Sequence, residues 1–453
     1  MKRVRIGAGA GFARDRIEPA VELAEKGDIA YLVFECLAER TIATDQLEKT
    51  RNPERGYNAG LDARMRAVLR PCRERGIRII TNMGSANPVA AARRVAQLAQ
   101  ELGLEGLRVA AVEGDDVADR VRAMDAPIFE TGESLDVIRS RIVSANAYLG
   151  AEPMVEALRR GADVVVVGRC ADPSLFLAPM MYELGWCADD WQRLGAGTVV
   201  GHLMECAGQI TGGYFADPGY KDVPGLARLG FPICEVGEDG EAFITKPAGS
   251  GGCVTVETAT EQLLYEIHDP SAYVTPDVVA DFTAVELSAG GSDVVRVSGG
   301  RGRPRTGSYK VSVGYRDSFI GDGQMSYAGP GALERARLAG EIVLERLQLQ
   351  GLHATETRVD LIGVDSLHGP RPRDGAAPYE VRVRVACRTA TAEEAARVGT
   401  EVASLLTNGP AGGAADSTSV REIIAILSVL MPRGCVHPSI TLIDPSATGR
   451  SAA

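Results

Sequence analysis

Asp163-Val164-Val165-Val166-Val167-Gly168-Arg169-Cys170-Ala171-Asp172 is the stretch whose reading decides the fold. Four consecutive β-branched apolar residues make a strand buried on both faces, as parallel sheets covered by helices require. Gly168 then turns the chain into a mainly helical stretch from about 174 to 210. Outward from this strand the same alternation recurs, with strands expected at 4–9, 29–35, 77–82, 107–113 and 142–146 and amphipathic stretches such as 88–102 between them. Short apolar runs alternating with helical patterns are the signature of βα units. The expected architecture is α/β, a doubly wound parallel sheet over residues 1–213, open or barrel-like.

From about 214 the pattern changes to strands, glycine-rich turns and fewer helices. Strands are expected at 242–246, 284–287, 293–297, 309–315, 358–364, 379–386, 423–431 and 439–443, with a helix at 391–406. Residues 214–453 therefore read as an α+β half, subdivided near 350.

In an open parallel sheet, loops and helix N-termini gather at the carboxyl ends of the strands, and ligands bind there. The first strand ends in Gly7-Ala8-Gly9-Ala10-Gly11, the second in Glu35, and the third in Asn82 with Asn87 a few residues on. The fifth ends in Asn146 and the sixth in Arg169 and Asp172. Turns need glycine and tolerate asparagine, but they need no Glu, no Arg and no set of amides. Together these residues read as a pocket lining.

A second constellation is Gly201-His202-Leu203-Met204-Glu205-Cys206-Ala207-Gly208-Gln209. On a helix, His202, Glu205, Cys206 and Gln209 fall at i, i+3, i+4 and i+7, one polar seam on an otherwise apolar surface. A buried polar group without a partner costs several kcal/mol in principle, so the seam faces water, a network or a cavity. Cys and His are unusual on a solvated face, which favours a cavity. There, Glu205 serves as general acid or base, and Cys206 as nucleophile only where His202 or Arg169 lowers its thiol pKa. No metal is expected: the chain has five histidines and no paired-histidine motif.

Two glycine segments invite phosphate readings. Gly7-x-Gly9-x-Gly11 departs from the G-x-G-x-x-G dinucleotide fingerprint, although Glu35 stands where that fingerprint wants an acid, so an NAD-dependent oxidoreductase stays open as an alternative. Lys246, ahead of Gly249-Ser250-Gly251-Gly252 and a helix start near Thr258, is either a phosphate or carboxylate cradle or a tight turn.

The composition sets the bounds. Of 453 residues 45% are hydrophobic and 24% charged, enough to bury large cores, and the net charge of −11 argues against nucleic-acid partners. Nine cysteines form no C-x-x-C pair, which fits neither a disulfide framework nor a zinc ribbon. With no apolar leader and no membrane-spanning run, the expectation is a cytoplasmic protein acting on a small molecule, with no membrane partner.

Taken together, the GAGAGF turn, Glu35-x-x-x-Glu39-x-Thr41, Asn82 to Pro88, Gly168 to Pro173, His202 to Gly213, Tyr265 to Pro270 and Asn408-Gly409-Pro410 resemble the acyclic terpene utilisation AtuA family. The resemblance covers nearly the whole chain and is most specific at Glu205-Cys206. It implies bacterial catabolism of citronellol- and geraniol-type acids as coenzyme A thioesters. Longer members carry an extra small C-terminal domain; its absence here implies a separate small subunit as partner, beside an expected homo-oligomer. Three functions stay open: an acid/base enzyme on a branched acyl-CoA or carboxylate (hydratase, lyase or hydrolase), the oxidoreductase, and a non-catalytic acyl-binding subunit. Beyond coenzyme A as part of the substrate, no cofactor is expected.

Overall fold

The computed structural model of the chain describes residues 2–369 and 378–443. The four valines form a strand with every side chain buried. In chain order the strands are β1 (Arg3–Ala10), β2 (Tyr31–Phe34), β3 (Arg78–Thr81), β4 (Val109–Glu113), β5 (Ile142–Ala147), β6 (Val164–Val167), β7 (Ile233–Gly237), β8 (Ala242–Thr245) and β9 (Tyr273–Val274). The rest are β10 (Val279–Asp281), β11 (Glu286–Gly291), β12 (Val294–Ser298), β13 (Arg301–Arg303), β14 (Ser308–Ala328), β15 (Ala354–Ile362), β16 (Glu380–Thr389), β17 (Ala414–Pro432) and β18 (Ser439–Ile443).

Ten strands make one sheet in the order β11-β12-β8-β7-β1-β2-β3-β6-β4-β18. Its centre, β1-β2-β3-β6-β4, is parallel. The flanking strands are all antiparallel additions. The change of pattern near residue 214 thus marks a change of strand direction within one sheet. Helices Glu18–Lys26, Leu61–Arg75 and Pro88–Glu101 pack in one row, helices Glu152–Arg159, Asp172–Leu184 and Trp191–Glu205 in another, and both rows meet the sheet.

One expected member of the parallel sheet lies elsewhere. The strand at 142–146 forms, but β5 pairs with β14. The Asn146 amide is bound to Asp115 in the loop after β4, and Asn146 bridges the backbone of Asp116, so β5 crosses the end of β4 instead of lying beside it.

Three glycines let the helix Trp191–Glu205 sit close to its neighbours. A Cβ at Gly201 would stand 2.6 Å from the carbonyl oxygen of Pro173, and one at Gly195 would stand 2.1 Å from that of Arg301. A Cβ at Gly197 would meet Leu177 at 2.6 Å. Close contact at Gly201 brings the end of this helix against the start of the helix Asp172–Leu184.

The described residues form two compact units, one within 2–314 with 426–443 and one within 315–425; the sequence reading placed a boundary at 213/214 and a subdivision near 350. The second unit runs strand-helix-strand-strand-helix-strand, with sheet order β15-β16-β14-β17, a split βαβ arrangement. Val381, Val383 and Val385 of β16 join Met325, Val343, Val402 and Leu405 in its core. The alternate residues Arg384 and Arg388 pair with Asp322, Asp360 and Asp317. Among the described residues no helix is long and apolar enough to cross a membrane.

Candidate active site

The site is built first from the loops that leave the parallel strands. Arg169 follows β6 and is 2% exposed. Its guanidinium donates to the carbonyl oxygen of Leu37, approaches Asp172 Oδ1 at 3.2 Å and lies 4.3 Å from the Tyr148 ring centre. Its backbone N–H donates to Asp115 Oδ2 at 2.9 Å, and the Asn146 amide donates to the same oxygen at 2.9 Å. A Cβ at Gly168 would stand 2.6 Å from the Asp115 carboxylate and would displace it from these two hydrogen bonds. After β2, Glu35 Oε1 accepts from the Leu37 N–H at 2.8 Å and from Asn82 Nδ2 at 2.9 Å. Tyr148 OH donates to Glu39.

The second part comes from the helix Trp191–Glu205. His202 and Glu205, one turn apart, meet at 2.9 Å between Nδ1 and Oε1, and both are buried. They do not form a solvent face. Tyr273 and Phe282 flank the imidazole, with ring centres 5.7 and 5.6 Å away. The carbonyl oxygen of His202 accepts from Gln262 Nε2 at 3.1 Å. The expected seam does not continue along one helix: the helix ends at Glu205, Cys206 caps it, and Ala207–Gln209 is a 3-10 turn. Ala207 holds φ +42°, a left-handed conformation that is uncommon for alanine and redirects the chain. A Cβ on Gly11 would fall 2.4 Å from the Cys206 carbonyl carbon, so the end of β1 packs directly on this turn.

Buried side-chain atoms with no hydrogen-bond partner gather here. Asn146 Oδ1, Arg169 Nε, His202 Nε2, Glu205 Oε2 and Gln262 Oε1 are in that state, and Asp172 Oδ1 has only its ion pair with Arg169 at 3.2 Å. Since buried polar groups are nearly always paired, such a set of unpaired atoms makes this cluster the candidate site. The electrostatics agree. Burial, with Glu205 and Glu39 nearby, pushes the Asp172 carboxyl up to about 7 against the pull of Arg169. Burial and Asp172 raise Glu35 well above the ordinary carboxylate range. Burial also raises Glu205, while the Glu205 charge outweighs burial at His202 and raises the imidazole, so the pair retains a proton to higher pH. The Cys206 thiol is driven up by burial and by Glu205, away from the thiolate.

The sequence model of the acyclic terpene utilisation family protein AtuA matches residues 4–442. The chain belongs to the AtuA family. Comparison with curated proteins and with solved structures gave no match.

In this AtuA-family chain Asn146, Arg169, His202 and Glu205 carry unpaired buried atoms, Asp172 is paired with Arg169, and Glu35 acts electrostatically on both Asp172 and Cys206. Other expected residues do different work. Asn87 caps the helix Pro88–Glu101 and ties down the carbonyls of Pro53 and Arg55. Lys246 is held by the Ser250 carbonyl of its own loop at 2.9 Å and by Asp293, in the turn between β11 and β12, at 3.1 Å, so its charge already has partners within the protein. Asn82 serves Glu35 and the Cys36 N–H. Gln209 lines a surface cavity.

The glycines also leave no dinucleotide cradle. β1 runs through Ala10, so Gly7 and Gly9 lie within a strand. The Phe34 ring fills the place of a Cβ on Gly9 at 2.7 Å. The Gly11 N–H donates to Asp15 at 3.0 Å, and the next helix starts only at Glu18.

Sequence reading missed Asp115, Tyr148 as a stacking partner, and Gln262. Asp115 had a signal: the strand-end rule applied to β4 leads to it. Gln262 had none, because only tertiary packing brings the helix Val256–Leu264 against His202. Among the described residues no three His, Cys, Asp or Glu are placed to hold a metal ion.

Proposed function

We propose that this protein is an enzyme that moves protons at a branched acyl thioester or related carboxylate, in the hydratase, lyase or hydrolase class. One observation carries the reading: unpaired polar atoms of Asn146, Arg169, His202 and Glu205 in buried positions, beside the Asp172 carboxyl that Arg169 holds. Membership of a family named for acyclic terpene utilisation supports a branched apolar substrate. The two helix rows and the parallel centre fit a doubly wound sheet with its site at the strand ends.

In this reading Asp172, with a pKa near 7, is protonated often enough at neutral pH to donate to a carbonyl oxygen. The remaining donor of Arg169, its Nε, faces negative charge as it develops there. Glu205 takes or returns a proton at the neighbouring carbon, and His202, bonded to its other oxygen, fixes the carboxylate and shares the proton. Cys206 supports this arrangement through its backbone contact with Gly11; a thiol held protonated is a poor nucleophile. Coenzyme A enters as the thiol part of the substrate.

A thermal-shift panel tests this. Branched acyl-CoA esters or free branched acids at a hundred times their dissociation constant are expected to stabilise by about 2.7 kcal/mol. Stabilisation by NAD(H) alone refutes the proposal in favour of the oxidoreductase. Glu205→Gln, which preserves shape, is expected to keep the ligand shift and lose turnover; a variant that binds and turns over as before removes Glu205 from the chemistry.

A further inference from the structure

A cavity of about 220 Å³ opens beside the turn that follows Cys206. Tyr214, Phe215, Leu264 and Tyr265 make an apolar wall, with Tyr214 and Tyr265 edge to face at 6.5 Å between ring centres. The one charged residue in that wall, Glu261, is paired with Lys221. The wall therefore presents apolar surface and little net charge, which suits an uncharged hydrocarbon chain better than a phosphate or carboxylate.

Gln262 belongs both to this wall and to the buried cluster. It is 2% exposed. Its Nε2 donates to the carbonyl oxygen of His202 at 3.1 Å, which assigns the other terminal atom as oxygen. That oxygen, Oε1, has no partner. An amide oxygen is an acceptor only, so what satisfies it must bring a donor.

We propose that Gln262 sets the selectivity of this site. Its Oε1 accepts a hydrogen bond from a hydroxyl on a substrate that enters along the apolar wall. The preferred ligand is then an apolar chain bearing a hydroxyl close to its reactive end. This rests on the acyl-site reading above and adds the residue that discriminates among acyl chains. A site that hydrogen-bonds a hydroxyl rejects the analogue lacking it, because the analogue leaves the buried oxygen unpaired.

The test is calorimetry on the full chain with three probes: the pantetheine thioester of a branched β-hydroxy acid, the same thioester without the hydroxyl, and its β-methoxy ether. The ether can accept a hydrogen bond and cannot donate one. The hydroxy thioester is expected to bind about tenfold or more tighter than both others. Gln262→Met is expected to abolish that preference, and Gln262→Glu, which keeps an acceptor, to retain it. Should Gln262→Met fail to fold, Gln262→Asn withdraws the acceptor by one methylene and is read the same way. Equal binding of all three probes to the native protein overturns the role of Gln262 and leaves the acyl site standing. A preference that survives loss of the acceptor overturns it as well. If none of the three binds, the acyl-site reading fails and this inference fails with it.

Discussion

Asp172 ionises against its surroundings, which gives its pH behaviour a definite sign. Its carboxyl moves from an ordinary 3.8 up to about 7 in the folded chain. The unfolded chain gives up this proton near pH 4 and the folded chain near pH 7. The stability linked to the group is therefore full below about pH 4 and is lost as pH rises through about 7. Asp172→Asn removes that dependence. The melting temperature of the variant minus that of the native protein is expected to rise between pH 4 and pH 7.5, measured at fixed ionic strength. A difference that stays flat with pH means that Asp172 titrates as it would in water. The same residue shows what neighbours do to a sequence reading: Asp172 was expected in the pocket lining, and its pairing with Arg169 three positions earlier is legible from spacing, but its raised pKa comes first from burial and then from Glu205 and Glu39, all of which the fold supplies.

The helix Trp191–Glu205 places half of the site, and glycine decides how closely it packs. Gly201→Ala puts a Cβ 2.6 Å from the Pro173 carbonyl oxygen, so the helix must move away from Asp172. The expected cost is about 1–3 kcal/mol in denaturant unfolding, with weaker ligand binding. Gly307→Ala, where a Cβ meets nothing within 4 Å, serves as the control and is expected to change little. If Gly201→Ala is as mild as the control, the close contact does not position the site. At this scale much was legible. Apolar runs located β1 to β4 and β6 because a fully buried strand leaves a continuous pattern. They could not say that β5 would pair with β14, since pairing partners are set by the loops and by the Asn146–Asp115 bond. β7 escaped notice because Cys234 and Glu235 interrupt its apolar run. The His202–Glu205 spacing gave a true contact, while Cys206 and Gln209 left the helical stripe because Ala207 turns left-handed.

Across the whole molecule, the parallel centre of the large sheet is completed at β4 by a strand far along the chain. β18 pairs antiparallel with β4, Ser439 opposite Glu113 and Ile443 opposite Val109. Removing residues 439–453 is expected to lower the melting temperature and to cause self-association visible by light scattering, because an uncovered apolar edge strand recruits other chains. A monodisperse truncated protein of native stability would show that β18 protects nothing. The pairing also has a consequence in time. During synthesis β4 leaves the ribosome about 330 residues before its partner, and at about 5–20 residues per second it waits roughly 16–66 s with one edge open. Over that interval β4 is open to pairing with another nascent copy, so slower expression is expected to raise the share of chains that reach the complete sheet before they associate.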